Sequence, residues 1–217
     1  MIKMFNVTKV YQGGHAALAG VSLEVDKGRF FFVAGPSGAG KTTLIRLILC
    51  EERLTGGQIL VDGLNLRRIP ARRVPALRRK IGVIFQDFKL IPTRTVFQNV
   101  ALRLEIEGAK PGYIAKKVRY ILKRVGLEGR DQAFPLQLSG GEQQRVAIAR
   151  AIVGDPLIIL ADEPTGNLDL DLAMSIIRLL EEINRNGATV ITATHNQEIL
   201  GETRHPIVYL ERGRRVS

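Results

Sequence analysis

Gly35-Pro-Ser-Gly-Ala-Gly-Lys41-Thr42 is the stretch on which the reading of this chain turns. It fits the spacing G-x-x-x-x-G-K-[ST], and it sits between an apolar run that reads as a strand and a segment that reads as a helix. Gly35, Gly38 and Gly40 free the backbone to turn successive N–H groups inward around phosphate oxygens. The helix that follows presents the positive end of its dipole to the same anion. On this spacing Lys41 is expected to neutralise β- and γ-phosphates, and the Thr42 hydroxyl to take one position on an octahedral Mg²⁺. Pro36, Ser37, Ala39 and Thr43 complete the expected binding loop.

A second apolar run ends in acid: Leu157-Ile-Ile-Leu-Ala-Asp162-Glu163. Two adjacent carboxylates at a strand end can divide the labour beside a bound triphosphate. Asp162 suits the metal, and Glu163 is then placed to act as general base toward an attacking water.

Outward from these two segments, short β-rich runs alternate with helical patterns, which predicts an α/β fold with a largely parallel sheet. The expected strands are Arg29 to Ala34, Ile81 to Phe85, Leu157 to Ala161 and Thr189 to Thr192. The last three are continuously apolar, as strands covered on both faces are. Between about Asp87 and Val153 the pattern is helical only. There Ile114, Val118, Ile121, Leu122 and Val125 form an apolar stripe with Lys116, Lys117, Lys123 and Arg124 opposite. Ile176, Ile177, Leu180 and Ile183 mark another amphipathic helix, which Asn186 and Gly187 end.

The chain has 217 residues, 45% of them hydrophobic, enough for one domain with a real core. No apolar stretch approaches the ~20 residues of a membrane span, and the N-terminus lacks the pattern of a secretory signal, so a cytosolic start is expected. Cys50 is the single cysteine, which excludes an internal disulfide. It reads as a small core residue. The net charge of +11, from 32 basic and 21 acidic residues, is clustered. One group is Arg67, Arg68, Arg72, Arg73, Arg78, Arg79 and Lys80; the other is Lys116, Lys117, Arg119, Lys123 and Arg124. Such clusters suit anionic lipid headgroups or nucleic acid, or serve only solubility. The absence of interleaved aromatics argues against nucleic acid.

Leu138-Ser-Gly-Gly-Glu-Gln-Gln-Arg145 lies between the phosphate loop and the acidic strand end. Ser139 and Glu142 form an S-x-x-E capping box that opens a helix with Val146, Ile148, Ala149 and Ile152 in its body. A capped N-terminus with two glycines is also an anion site. This segment, in this order, resembles the ABC ATPases, and the resemblance runs essentially end to end. It implies a P-loop cassette with a mainly parallel core sheet, an antiparallel β subdomain and an inserted helical subdomain. Residues 1–86 and 154–217 would form the core, and 87–153 the insert.

The resemblance further implies a homodimer on ATP binding, in which Ser139, Gly140 and Gly141 of one copy close over the γ-phosphate held by the other. By the same likeness Gln86 would reach Mg²⁺ and the attacking water, His195 would contact the γ-phosphate, and Tyr11 would stack on adenine. Gly166-Asn-Leu-Asp169 would cross the dimer interface. Asn196 departs from the pattern, because an aspartate commonly follows the histidine. Asp87 to Val100 and Pro164 to Asp169 are worded like the cell-division branch of the family, although lipoprotein-releasing and macrolide-export members share much of that wording. The branch implies an FtsX-like integral membrane subunit docking near Gln86 to Val100, a peripheral place on the cytoplasmic face, and regulation of cell-wall hydrolases.

Overall fold

The computed structural model of the chain describes residues 1–166 and 168–216. The chain opens with β1 (Ile2–Val10), β2 (Ala16–Val25) and β3 (Phe30–Ala34), followed by α1 (Lys41–Ile48), β4 (Gly56–Val61) and β5 (Leu64–Asn65). Next come α2 (Val74–Arg78), β6 (Ile81–Ile84), α3 (Val96–Ile106), α4 (Pro111–Arg124) and α5 (Gly140–Ile152). The last part holds β7 (Ile158–Asp162), α6 (Leu170–Arg185), β8 (Thr189–Thr194), α7 (Gln197–Glu202), β9 (Ile207–Glu211) and β10 (Arg214–Val216).

Six strands form one sheet in the order β10-β9-β3-β8-β7-β6. All its pairings are parallel except β9 with β10 at one edge. Parallel pairing needs a long crossover between strands, and the helices supply it. A second sheet, β2-β1-β4-β5, is antiparallel.

Side-chain alternation along β3 divides the interior in two. Phe30, Phe32 and Ala34 join a core built with α3, α4, α5 and α6. Phe31 and Val33 point the other way, into a core shared with α1 and the antiparallel sheet. Every residue of β3 is buried, the burial expected of a strand covered on both faces. The apolar stripe of α4 is buried as its spacing predicts, with Val118, Leu122 and Val125 fully inaccessible. At ~25 cal/mol per Å² such stripes, rather than helix propensity, hold these helices in place.

From residue 87 to 153 the regular elements are α3, α4, α5 and a short 3₁₀ turn at Pro135–Gln137, with no strand. Among the described residues no helix is long and apolar enough to cross a membrane. Cys50 departs from its expected place in the core. It is only partly buried, has φ 54° just beyond the end of α1, and lines a surface cavity.

Candidate active site

Four parallel strands deliver their C-terminal ends to one edge of the sheet, where open α/β folds bind ligands. β3 runs into the loop before α1, β6 leads to Gln86, β7 ends at Asp162 and Glu163, and β8 leads to His195. A cavity of about 480 Å³ lies there, within the range of nucleotide-sized ligands. Its lining includes Tyr11, Ser37, Lys41, Gln86, Glu163 and His195, together with the backbone-rich stretch Gly38 to Gly40 and Thr42 with Thr43.

The loop before α1 is held open by its glycines. Gly35 has φ 151° and Gly40 has φ 106°. A methyl group on Gly35 would collide with the Leu210 carbonyl oxygen, and one on Gly40 would lie 2.5 Å from the Ala17 carbonyl oxygen and 2.7 Å from Leu18 Cδ2. Gly40→Ala is therefore expected to lower stability by about 3 kcal/mol, from backbone strain and overpacking together. A denaturant melt of the purified variant measures it, and an unchanged midpoint would contradict the steric account.

Lys41 Nζ donates to the carbonyls of Gly35 at 2.6 Å and Pro36 at 3.1 Å, which keeps the ammonium inside the loop. It also lies 3.1 Å from Glu163 Oε1. The same Oε1 is 2.9 Å from His195 Nδ1, and Glu163 Oε2 accepts the His195 backbone N–H at 3.3 Å. Glu163 is thus gripped from two sides while it is only 8% exposed. Its backbone sits at φ 49°, and its N–H donates to the Ala193 carbonyl at 2.9 Å. A non-glycine residue held in this conformation costs of order 1–3 kcal/mol, which the neighbouring strand β8 sustains.

Thr42 Oγ1 donates to Asp162 Oδ1 at 3.2 Å. Burial pushes the Asp162 carboxyl above its ordinary pKa, the Thr42 hydrogen bond pulls the other way, and the adjacent Glu163 charge adds to the rise. Asp162 does not line the main cavity; it opens onto a neighbouring hollow shared with Thr42 and Gln86. Gln86 passes close over Gly166, where a side chain would come within 2.9 Å of its Nε2.

Ser139 caps α5 as the sequence predicts. Its Oγ accepts the Glu142 N–H at 3.3 Å, and Glu142 Oε2 accepts the Ser139 N–H at 2.9 Å. These hydrogen bonds, aided by Arg130 at 3.2 Å, hold the Glu142 carboxyl below the usual carboxylate range. Ser139, Gly140 and Gly141 do not line the cavity of their own chain. Gly35 and Pro36 also stand outside its lining and act through their carbonyls on Lys41.

The body of α5 reaches the site from behind. Gln144 Nε2 donates to the Pro164 carbonyl at 2.5 Å, next to Glu163. Arg150, near the other end of the helix, donates to the carbonyls of Lys89 at 2.5 Å and Phe88 at 2.7 Å. Phe88 and Lys89 are consecutive left-handed residues, φ 57° and 49°, just past Gln86. One guanidinium therefore clamps a strained turn, and burial holds that guanidinium's pKa below its usual value.

Sequence reasoning did not single out Arg150. It also missed His15 and Ala17, which line the cavity beside Tyr11. For Arg150 no local signal existed, whereas His15 could have been suspected from its place in the same loop as Tyr11. The expected interface segment Gly166 to Asp169 includes Asn167, which lies outside the described residues. Asp169 caps α6, accepting the Leu172 N–H at 2.9 Å. Asn196 caps α7, its Oδ1 accepting the N–H groups of Glu198 at 2.9 Å and Ile199 at 3.2 Å. An aspartate would make the same two bonds, so the departure leaves the turn after His195 intact.

A family profile described as ABC transporter matches residues 18–166. The cell division ATP-binding protein FtsE of Bacillus subtilis (strain 168) is 50% identical over 213 residues, 98% of this chain and 93% of that protein. Its Escherichia coli (strain K12) namesake is 48% identical over 213 residues, 98% of this chain and 96% of its own length. Among solved structures, the dimeric post-hydrolysis state of the ATP-binding cassette MJ0796, bound to ADP and Pi, superimposes with a TM-score of 0.90 at 38% identity, covering 100% of this chain and 97% of that one. The cbiO1 protein of Clostridium perfringens, part of the ABC transporter complex cbiONQ, gives 0.92 at 30% identity, covering 100% and 86%. With the glycine loop on β3, the acidic end of β7 and the capped helix α5 all in place, this chain belongs to the ABC transporter family as one of its ATP-binding cassettes.

Proposed function

We propose that this chain is the ATP-hydrolysing subunit of a bacterial cell-division assembly, working as two copies that enclose two ATP molecules and drive an integral membrane partner of the FtsX kind. One observation carries the reading. The groups suited to phosphate and attacking water share one cavity, while the N-terminus of α5 lies outside it, with Ser139 and Gly140 exposed where a second copy would meet them.

In this reading Lys41 and the loop Gly35 to Thr43 hold the phosphates, and Tyr11 takes the adenine. Glu163 accepts the proton of a water that attacks the γ-phosphorus as the bond to the bridging oxygen of ADP breaks. His195 Nδ1 orients the Glu163 carboxylate, and its half-exposed ring leaves the other nitrogen open to a phosphate oxygen. Thr42, Asp162 and Gln86 supply oxygen atoms suited to a hard cation. Such a sparse oxygen set suits Mg²⁺, an ion that commonly rests on one or two protein groups plus substrate phosphates. When bound, the ion would neutralise charge that develops on the phosphates.

The dimer is tested by measuring phosphate release per chain against chain concentration, alongside solution scattering. Turnover that rises with concentration and parallels dimer formation is expected. A monomer hydrolysing at full speed at every concentration would overturn the reading. For the membrane subunit, deletion of Gln86 to Val100 is expected to abolish copurification, and survival of the complex would remove that docking site. In this reading the chain sits on the cytoplasmic face of the membrane, beside that partner.

Arg150 would position the turn after Gln86. Arg150→Ala is expected to lower kcat about tenfold with KM for ATP within about twofold, and Arg150→Lys to restore only part, because a point charge replaces a planar fork. Steady-state phosphate release separates the two constants. A change confined to KM would assign Arg150 to binding instead.

A further inference from the structure

A second cavity, of about 690 Å³, opens where the end of α1 meets the turn before α2. Its apolar floor is made by the buried Leu47 and Leu66 with the partly buried Leu54, Ile69 and Val74, and the exposed Pro75 lies beside them. Its rim is cationic, with Arg53, Arg67, Arg68 and Arg78 in the lining and the exposed Arg72 and Arg73 on the adjoining 3₁₀ turn. It is separate from the hollow formed by Phe85 to Asp87 and Lys89, which lies against Ile45 and Arg46 of the same helix.

The two basic clusters of the chain differ in one respect. In the α4 cluster, Lys117 pairs with Asp155 at 2.7 Å, Lys123 with Glu128 at 3.3 Å and Arg124 with Glu182 at 2.9 Å. Around the second cavity, among the described residues, none of the six arginines has a carboxylate within 4.0 Å. Glu52, which also lines the cavity, is taken by Lys9 at 2.7 Å. Four of the five cations of the α4 cluster thus have a carboxylate partner, whereas the six arginines around the apolar hollow have none.

Complementarity then specifies the occupant. A bilayer surface or a nucleic-acid backbone would satisfy the arginines but fill no concave apolar floor. A helix with apolar residues on one face and Glu or Asp beside them satisfies both. We propose that this cavity docks an acidic amphipathic helix of a protein partner, its apolar side chains on the floor and its carboxylates on the arginine rim. Arg78 already caps the far end of α1, donating to the carbonyls of Leu49 at 2.9 Å and Cys50 at 3.3 Å. A docked helix would therefore bear on the end of α1 opposite Lys41, about 12 Å away along the axis. The binding proposal stands whether or not the ATPase reading does.

The test is fluorescence anisotropy with the full chain and a labelled synthetic peptide of about 18 residues, leucines on one helical face and glutamates flanking them. A peptide of the same composition with dispersed leucines, one with lysine for glutamate, and phosphatidylglycerol vesicles serve as comparisons. The ordered acidic peptide is expected to bind at least about tenfold more tightly than either comparison peptide. Ile69→Asp, and separately the combined Arg53, Arg68, Arg72 and Arg73→Glu variant, should each weaken it by about tenfold or more. The side chains of those four arginines hold no other group by hydrogen bond or ion pair among the described residues, so melting of the combined variant should match the parent. Equal binding of ordered and dispersed peptides, binding unchanged in the variants, or binding to vesicles without binding to the peptide would each overturn the proposal.

Discussion

Glu163→Gln should bind ATP with near-parental affinity and hydrolyse it at least about a hundredfold more slowly, the range expected when a general base is removed. The amide keeps the shape of the carboxylate and can still receive the His195 backbone N–H on its oxygen, so the left-handed turn at residue 163 should survive. It loses the ion pair to Lys41 and the capacity to take a proton from water. Because binding continues without turnover, the variant should accumulate as a nucleotide-bound dimer, visible by size-exclusion chromatography with ATP and dissolving with ADP. Hydrolysis near the parental rate would show that another group takes the proton, and slow hydrolysis without dimer accumulation would separate catalysis from association.

Lys41→Ala attacks an earlier step. The ammonium is 6% exposed and held by two loop carbonyls and Glu163, so it is prepositioned where a phosphate would arrive. Removing a buried charge-assisted contact costs about 3 kcal/mol, a loss of more than a hundredfold in ATP affinity. Calorimetry should detect no binding at concentrations that saturate the parent. Part of the loss would come from Glu163, left without its cation in a buried place. The double variant Lys41→Ala/Glu163→Gln should recover stability relative to Lys41→Ala while remaining unable to bind. Parental affinity in the single variant would remove Lys41 from the cradle.

Much of this arrangement could be read from the chain because local rules dictate it. The buried face of α4 follows from residue spacing alone, as does the capping box at Ser139. Lys41, Thr42 and Glu163 were legible from their motifs at the ends of strands expected in one parallel sheet, whereas Gln86 and His195 were singled out by the family resemblance, with which their places after two more of those strands agree. What escaped depends on contacts between distant segments. Nothing near Arg150 in sequence announces that its guanidinium will meet the carbonyls of Phe88 and Lys89, some sixty positions away. The left-handed backbone at Phe88, Lys89 and Glu163 was equally hidden, because turn rules look for glycine or asparagine and these positions carry neither. Cys50 reads as core by its type, yet it only packs against the core's margin, since it follows the end of α1 in a left-handed conformation that brings it to a surface hollow. The order of the antiparallel strands was beyond local pattern as well, since β1 pairs with β4 across the whole of α1.

The geometry of α5 has a mechanical corollary. Thirteen residues make a rod about 20 Å long, stiffened along its length by a packed core. In the proposed dimer, one tip of the rod meets a phosphate belonging to the neighbour, and the other grips the loop that senses its own. A tilt of about 10° pivoted at one tip carries the other through roughly 3 Å, enough to sever a hydrogen bond. The helix would then work as a balance beam on which neither pan can move without the other, and since each copy carries one, the two sites would answer to each other through a pair of straight elements.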